Sequence, residues 1–323
     1  MPENEVSMSE NWIRECQIIV ADENGDGIDL SELRVTFNIT RPNTAYPATA
    51  IVKVFNLNKE TENRLRQYEF KQIIIVAGYK DNSSQIFSGQ IQYTYAGREN
   101  TTDTYVVIQS AEGDQAYSEA IVSQTVAAGY TQPDIDTALM KDLEKYGMTA
   151  GLRGEYDQTV APRGKVLFGM HRDEMTCFAK QNNADWRYTG DSVDLVPKDN
   201  YINEIILHYD SGLIGTPEQT IGGGINVMCM INPDIKPGTL IHLDNAGINL
   251  AGLSNKEIGM NGSHTGSAEQ PSPLDTDGEY KVINVSYFGD TRGNSWYQEL
   301  ICIARSVETK LNPSALQAMA VEA

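Results

Sequence analysis

Between Ser31 and Gly89 the chain follows a pattern that suits a β-domain and little else. Leu33, Val35, Phe37 and Ile39 alternate with Arg34, Thr36 and Asn38, a period of two that marks a half-buried strand. From Ile51 to Leu57 nearly every residue is apolar, which predicts a strand covered on both faces. Asn58 is placed to cap a short helix whose Leu65 and Tyr68 face one way. Strands are expected again at Lys71–Tyr79, which ends in Ala77-Gly78-Tyr79, at Gln85–Tyr95 and at Thr104–Ser110. Successive β-segments divided by glycine-rich turns predict a small barrel or sandwich.

Upstream, Cys16–Val20 reads as a strand and residues 1–11 as disordered. The character changes near Glu112. Ile121–Ala127 fits a strand or a helix. Thr131-Gln132-Pro133 opens a helix in which Ile135, Leu139, Leu143 and Tyr146 recur on one face, and Gly147 stops it. His171–Asn182 is a second helix, with Met175, Phe178 and Ala179 on one side. Asp185–Thr189 and Ser192–Val196 form a hairpin turned at Gly190-Asp191. From Tyr201 the pattern is β once more, at Glu204–Tyr209, Ile225–Ile231, Thr239–Leu243, Tyr280–Phe288 and Trp296–Ala304. Asn245–Asp277 is rich in Gly, Asn and Ser and reads as a long loop; from Ser306 a short tail has weak helical character.

A chain of 323 residues holds two or three domains and buries roughly three quarters of its unfolded surface. No apolar run approaches the ~20 residues that span a bilayer. The acidic start MPENEVSMSENWIRE lacks the features of a signal peptide, so folding in a cytoplasm is expected. The net charge of -19 argues against wrapping nucleic acid.

Candidate chemistry is sparse. Cys16, Cys177, Cys229 and Cys302 are widely spaced, with no CxxC pair, and are expected as free thiols, with neither metal nor cofactor. In Asp22–Leu33, residues Asp22, Asn24, Asp26 and Gly27 match the start of a calcium loop. The closing bidentate acid would fall on Leu33, with Glu32 one residue early and Ile28 also early, so a hairpin turn is expected. Gly212–Gly224 lacks the residues of a phosphate loop and reads as a flexible connection. His171, His208, His242 and His264 are scattered, and no pair of acids stands out for glycosidase work. The sequons at Asn82, Asn100 and Asn261 carry no weight in a protein that is not secreted. No catalytic, cofactor-binding or metal-binding residue is therefore named.

Three blocks resemble one family. The first is Leu33–Gly89, with Phe37, Val54-Phe55-Asn56-Leu57, Ala77-Gly78-Tyr79 and Phe87-Ser88-Gly89. The second has Phe168-Gly169, a helix, Ala184-Asp185-Trp186 and Val193–Pro197. The third runs from Ser211-Gly212-Leu213-Ile214-Gly215-Thr216-Pro217 through Val227–Asn232 and Pro237-Gly238 to Tyr287-Phe288-Gly289-Asp290 and Ser295-Trp296. In order and spacing they resemble the baseplate hub proteins of contractile-tailed bacteriophages, the late control protein D-like group. The resemblance implies a mainly β chain: two related small β-barrel domains joined by an α/β insert, forming a tube-like ring in a trimer. The expected divisions are 12–112, 113–198 and 199–305, with a loop at 245–277 and a tail at 306–323.

The resemblance also implies a structural virion protein without catalytic residues. A homotrimer at the tail tip would join a hexameric tail tube, or its initiator, to a trimeric central spike, and would touch other baseplate proteins. Genomic DNA would only pass through its channel, and no membrane is involved. The net charge of -19 then has two readings: general solubility, or an acidic channel wall that keeps phosphate from sticking, with a reach of about 8 Å at physiological salt. Such a protein assembles in the host bacterial cytoplasm. The alternatives are the hub of a phage-derived contractile injection system, a tail-associated cell-wall glycosidase or peptidase, and a monomeric carbohydrate-binding module.

Overall fold

The structure is a computed structural model, and it describes residues 13–22, 25–198, 200–219, 224–250, 274–275 and 278–305. The N-terminal stretch, the C-terminal tail and most of the loop at 245–277 lie outside these residues, so the expectations placed on them do too.

The chain begins with β1 (Arg14–Ala21), β2 (Gly27–Asp29), β3 (Val35–Pro42), β4 (Thr49–Phe55), α1 (Lys59–Arg66), β5 (Gln72–Tyr79), β6 (Asn82–Arg98) and β7 (Thr104–Ala111). An insert follows: α2 (Asp114–Glu119), β8 (Ile121–Val126), α3 (Gln132–Leu143), β9 (Thr149–Ala150), β10 (Lys165–Met170), α4 (His171–Gln181), β11 (Ala184–Thr189) and β12 (Ser192–Pro197). The last part holds β13 (Glu204–Ile206), β14 (Leu213–Gln219), β15 (Ile225–Met230), β16 (Leu240–His242), β17 (Glu279–Asp290) and β18 (Trp296–Ala304). The chain is mainly β, with an α/β insert.

Strands from before and after the insert form one sheet, in the order β14-β15-β18-β17-β3-β4-β7-β6-β5-β1-β2. Within it are two quartets, β3-β4-β7-β6 and β14-β15-β18-β17. Each has the order first, second, fourth, third in the chain. They join head to tail where β17 pairs antiparallel with β3, setting Tyr287 opposite Ile39 and Asp290 opposite Thr36.

Periodicity explains which side each residue faces. On β3, Val35, Phe37 and Ile39 point into the core and Thr36, Asn38 and Thr40 point away. Ile73, Ile75 and Ala77 do the same on β5, and Val282, Val285 and Tyr287 on β17. One core gathers these with Ile18, Val52, Ile225, Leu300 and Cys302. The insert has a separate core, from Ala116 to Leu195, in which Ile135, Leu139 and Leu143 of α3 meet Met175 and Phe178 of α4 and Trp186 of β11.

Local signals set several boundaries. The Thr61 N–H donates to the Asn58 side chain at 2.7 Å, so the predicted cap is present. Thr131 donates its N–H to Asp134 at 2.8 Å at the start of α3, and Gly147 closes the following turn with a φ of 74°. The hairpin β11–β12 turns at Gly190 with a φ of 57°, where glycine costs nothing. Ile121–Ala127, open between strand and helix, is the strand β8.

Three expectations are corrected. The run Ile51–Leu57 is not covered on both faces: Ile51 is 48 % exposed while Val52 and Val54 are buried, because among the described residues the sheet has a core on one side only. Tyr68 does not share a face with Leu65; the helix ends at Arg66, and Tyr68 takes a φ of 56° and is exposed. Gly212–Gly224 is not simply a flexible connection, since Leu213–Gln219 pairs with β15, setting Ile214 opposite Met228. Its glycines and Pro217 hide a strand that bends at a register irregularity between Ile214 and Glu218.

Candidate interaction surface

Among the described residues, the candidates from the sequence do not converge; His264 lies outside the described residues. His171 is fully buried in the insert, its Nε2 3.1 Å from the Leu139 carbonyl. His208 accepts the Asp210 N–H at 3.1 Å, and His242 lies 2.5 Å from Glu204. Cys229 and Cys302 are buried, Cys16 is half-buried and Cys177 is exposed; all four are free. Burial pushes the Cys229 thiol up to about 12, and Gln298 donates to its sulfur at 3.2 Å. In the calcium-like turn the Asp26 N–H donates to Asp22, and Asp29 accepts from Ser31, as β1 and β2 pair into a hairpin. Among the described residues, no group of three or more His, Cys, Asp and Glu is arranged to hold a metal ion, and no helix is long and apolar enough to cross a membrane.

Three buried carboxylates are each engaged by an arginine. Glu112 meets Arg41 at 2.5 Å, Asp136 meets Arg153 at 2.7 Å, and Asp194 lies 3.7 Å from Arg187. Two of these pairs sit where the insert joins the sheet. Arg187 of β11 donates to Asn43 at 3.0 Å and to the Pro237 carbonyl at 2.5 Å, so one side chain touches all three parts of the chain. Burial pulls its guanidinium down to about 10. Asn43 also donates to Asp185 at 3.2 Å. Burial pushes the Glu112 carboxyl up against the pull of Arg41. Interlocking donors and acceptors of this kind fix an orientation more than they add stability. No sequence motif announces them, since each pair joins residues distant in the chain.

The outer face of the two quartets carries a continuous row of side chains. Register places Tyr93, Gln109, Ile51, Asn38, Phe288, Tyr297 and Met230 in one row across seven strands. Tyr93 is 52 % exposed and Ile51 is 48 % exposed. Phe288 and Tyr297 stack with ring centroids 5.2 Å apart. No carboxylate, lysine or arginine belongs to this row, so the net charge of -19 is carried elsewhere. Rows rich in aromatic and apolar groups and poor in charge are what protein contacts use.

No family model matches the chain. No curated protein matches it. Solved structures do match in fold. A 43 kDa tail protein of prophage MuSo2 from Shewanella oneidensis aligns over 91 % of this chain and 98 % of its own, with a TM-score of 0.57 and 7 % identity. A tail protein from Neisseria meningitidis MC58 aligns over 90 % and 96 %, with a TM-score of 0.54 and 7 % identity. An E. coli component of the type VI secretion system, itself structurally similar to the T4 bacteriophage tail proteins gp27 and gp5, aligns over 94 % and 80 %, with a TM-score of 0.52 and 11 % identity. The chain therefore has a tail-protein fold, shared by prophage tails and a secretion machine.

Proposed function

We propose that this chain is a structural protein of a phage tail and that three copies form the baseplate hub, joining the tail tube to the central spike around the DNA channel. The observation that carries this reading is the repeated strand order of the two quartets. Three copies present six four-stranded units, and six units match a hexameric tube while three copies match a trimeric spike. The fold likeness to prophage tail proteins supports the same role. In this reading residues 12–112 and 199–305 are the tube-like domains and 113–198 the domain set outside them. It needs no catalytic residue, and the arginine-engaged carboxylates fit a protein that works by shape and symmetry.

The test is to express the chain with its neighbouring tail proteins and obtain two-dimensional class averages. A threefold ring capping the tube is the expected result; particles without threefold symmetry would remove the reading. A second reading, the hub of a phage-derived injection machine, is favoured by the likeness to the secretion-system component. The neighbouring genes separate the two, since only a phage carries capsid genes alongside.

A further inference from the structure

The strands β8 and β10 pair antiparallel on the insert and form a sheet of their own, with no third strand among the described residues. Alternation gives this ladder two unlike faces. Val122 and Leu167 turn inward and join the core of the insert. Ile121, Ser123 and Thr125 of β8 share the other face with Val166, Phe168 and Met170 of β10. Phe168 is 73 % exposed, Val166 66 % and Ile121 61 %, and Phe168 is the most exposed large apolar side chain among the described residues. None of the six residues on this face carries charge.

One edge of the ladder is open as well. The His171 N–H donates to the Ala120 carbonyl at 2.9 Å, one register step beyond the pairing of Met170 with Ile121. Bonded and unbonded pairs alternate along an antiparallel ladder. Lys165, Leu167 and Gly169 therefore bond to β8, whereas Val166, Phe168 and Met170 turn their N–H and carbonyl groups away from it. Among the described residues no strand takes up those groups. The same three residues thus present unpaired strand bonds along the edge and apolar side chains on the face beside it.

Charge selects the occupant. Residues 120–133 and 158–172, which hold the two strands, carry Arg163, Lys165 and Arg172 and no acid, in a chain of net charge -19. Arg163 is exposed. Lys165 donates to the neutral Gln181 at 3.1 Å and Arg172 to the Tyr117 carbonyl at 2.8 Å, so both cations are bonded without a carboxylate. A second copy laid antiparallel along this edge, Phe168 against Phe168, would bring Arg163 and Lys165 of each up to Arg172 of the other. A lipid surface would leave the open backbone groups without bonds. We propose that this edge receives an extended segment of another tail protein, in which apolar residues alternate with polar ones and acids flank them. The segment lies beside β10 as a third strand, its backbone bonded to Val166, Phe168 and Met170 and its acids against Arg163 and Lys165. This inference rests on the reading of a tail-assembly protein but not on threefold symmetry.

The experiment places a photoreactive benzoylphenylalanine at Phe168, irradiates the full chain mixed with its neighbouring tail proteins, and identifies the linked peptides by mass spectrometry. Phe168 is exposed, so the fold should persist, which a thermal melt checks. The expected product joins this chain to a different tail protein, through a segment of alternating apolar residues flanked by Asp or Glu. Arg163→Glu combined with Lys165→Glu should lower the yield about tenfold or more; an unchanged yield would overturn the acidic partner. A link to another copy of this chain, a link to a segment without acids, or no link in folded protein would overturn the inference. So would flotation of the wild-type chain with phosphatidylglycerol vesicles that Phe168→Asp abolishes, which would assign the face to a lipid surface. Class averages of the same mixture keep the two readings apart. The link without a threefold ring overturns the hub and leaves this inference standing, and a threefold ring without the link does the reverse.

Discussion

Arg41 and Glu112 form an ion pair of 2.5 Å with side chains only 7 % and 0 % exposed, at the point where the sheet hands over to the insert. Arg41 donates also to the Ile86 carbonyl at 2.8 Å, and Glu112 accepts the Ser88 N–H at 3.3 Å. The pair thus ties β3, β6 and the end of β7 together beside Arg187.

Glu112→Gln strands a buried guanidinium, and the expected loss is about 3–5 kcal/mol. Replacing both residues by methionine removes the charges together and should cost clearly less than the single change. Urea midpoints at unchanged slope measure both. A single variant within ~1 kcal/mol of wild type would show that the pair is not needed to hold the junction.

Gly78 holds a φ of 156°, and a side chain there would collide with the Asn82 carbonyl across the β5–β6 hairpin. Its own carbonyl lies 3.4 Å from the Trp296 indole nitrogen. Gly78→Ala should therefore lower stability by roughly 2–3 kcal/mol, read from thermal melts alongside Gly247→Ala, where no atom lies within 4 Å of an added side-chain carbon and the backbone is not in the left-handed region.

Burial holds the His171 imidazole below its usual value of 6.5. The unfolded chain takes up a proton that the folded insert resists. Stability from this group is complete above the unfolded value and is lost as pH falls through and below it. Unfolding midpoints at about pH 7.5 and about pH 5 should show a drop that His171→Leu reduces, even though that variant starts lower for want of the Leu139 contact. An unchanged slope would remove His171 as the cause.

Cysteine labelling should separate the thiols by burial. Cys177 on α4 is exposed and should react quickly in the folded protein. Burial, with Asp29 adding to it, pushes the half-buried Cys16 up to about 12, and burial does the same for Cys229. One fast thiol is expected in native protein and all four in denaturant. Loss of the fast phase in Cys177→Ser checks the assignment.

Much of the element order was legible because its signals are local. Alternation at Leu33–Ile39, the cap at Asn58, the spacing of Ile135, Leu139 and Leu143, and the turn at Gly190-Asp191 each involve residues within a turn or two. Errors came where the environment decides. Ile51 reads as core by hydrophobicity, yet among the described residues no layer lies above its face. Leu213–Gln219 reads as loop by its glycines, yet it is a strand because β15 lies alongside. The outer-face row is not legible in the sequence, because its members come from seven strands and become neighbours only through register.

The sequence by itself determined most of the strands and helices and, for strands such as Val35–Ile39, which side is apolar, since period and capping depend on near neighbours. Only the tertiary structure decided that strands on either side of the insert share one sheet. That junction brings together residues such as Arg34 and Asp290, 256 positions apart. A strand's sequence specifies an inner and an outer face but not the strand beside it. Backbone hydrogen bonds are alike for every residue, and partner choice is settled by how the whole core packs.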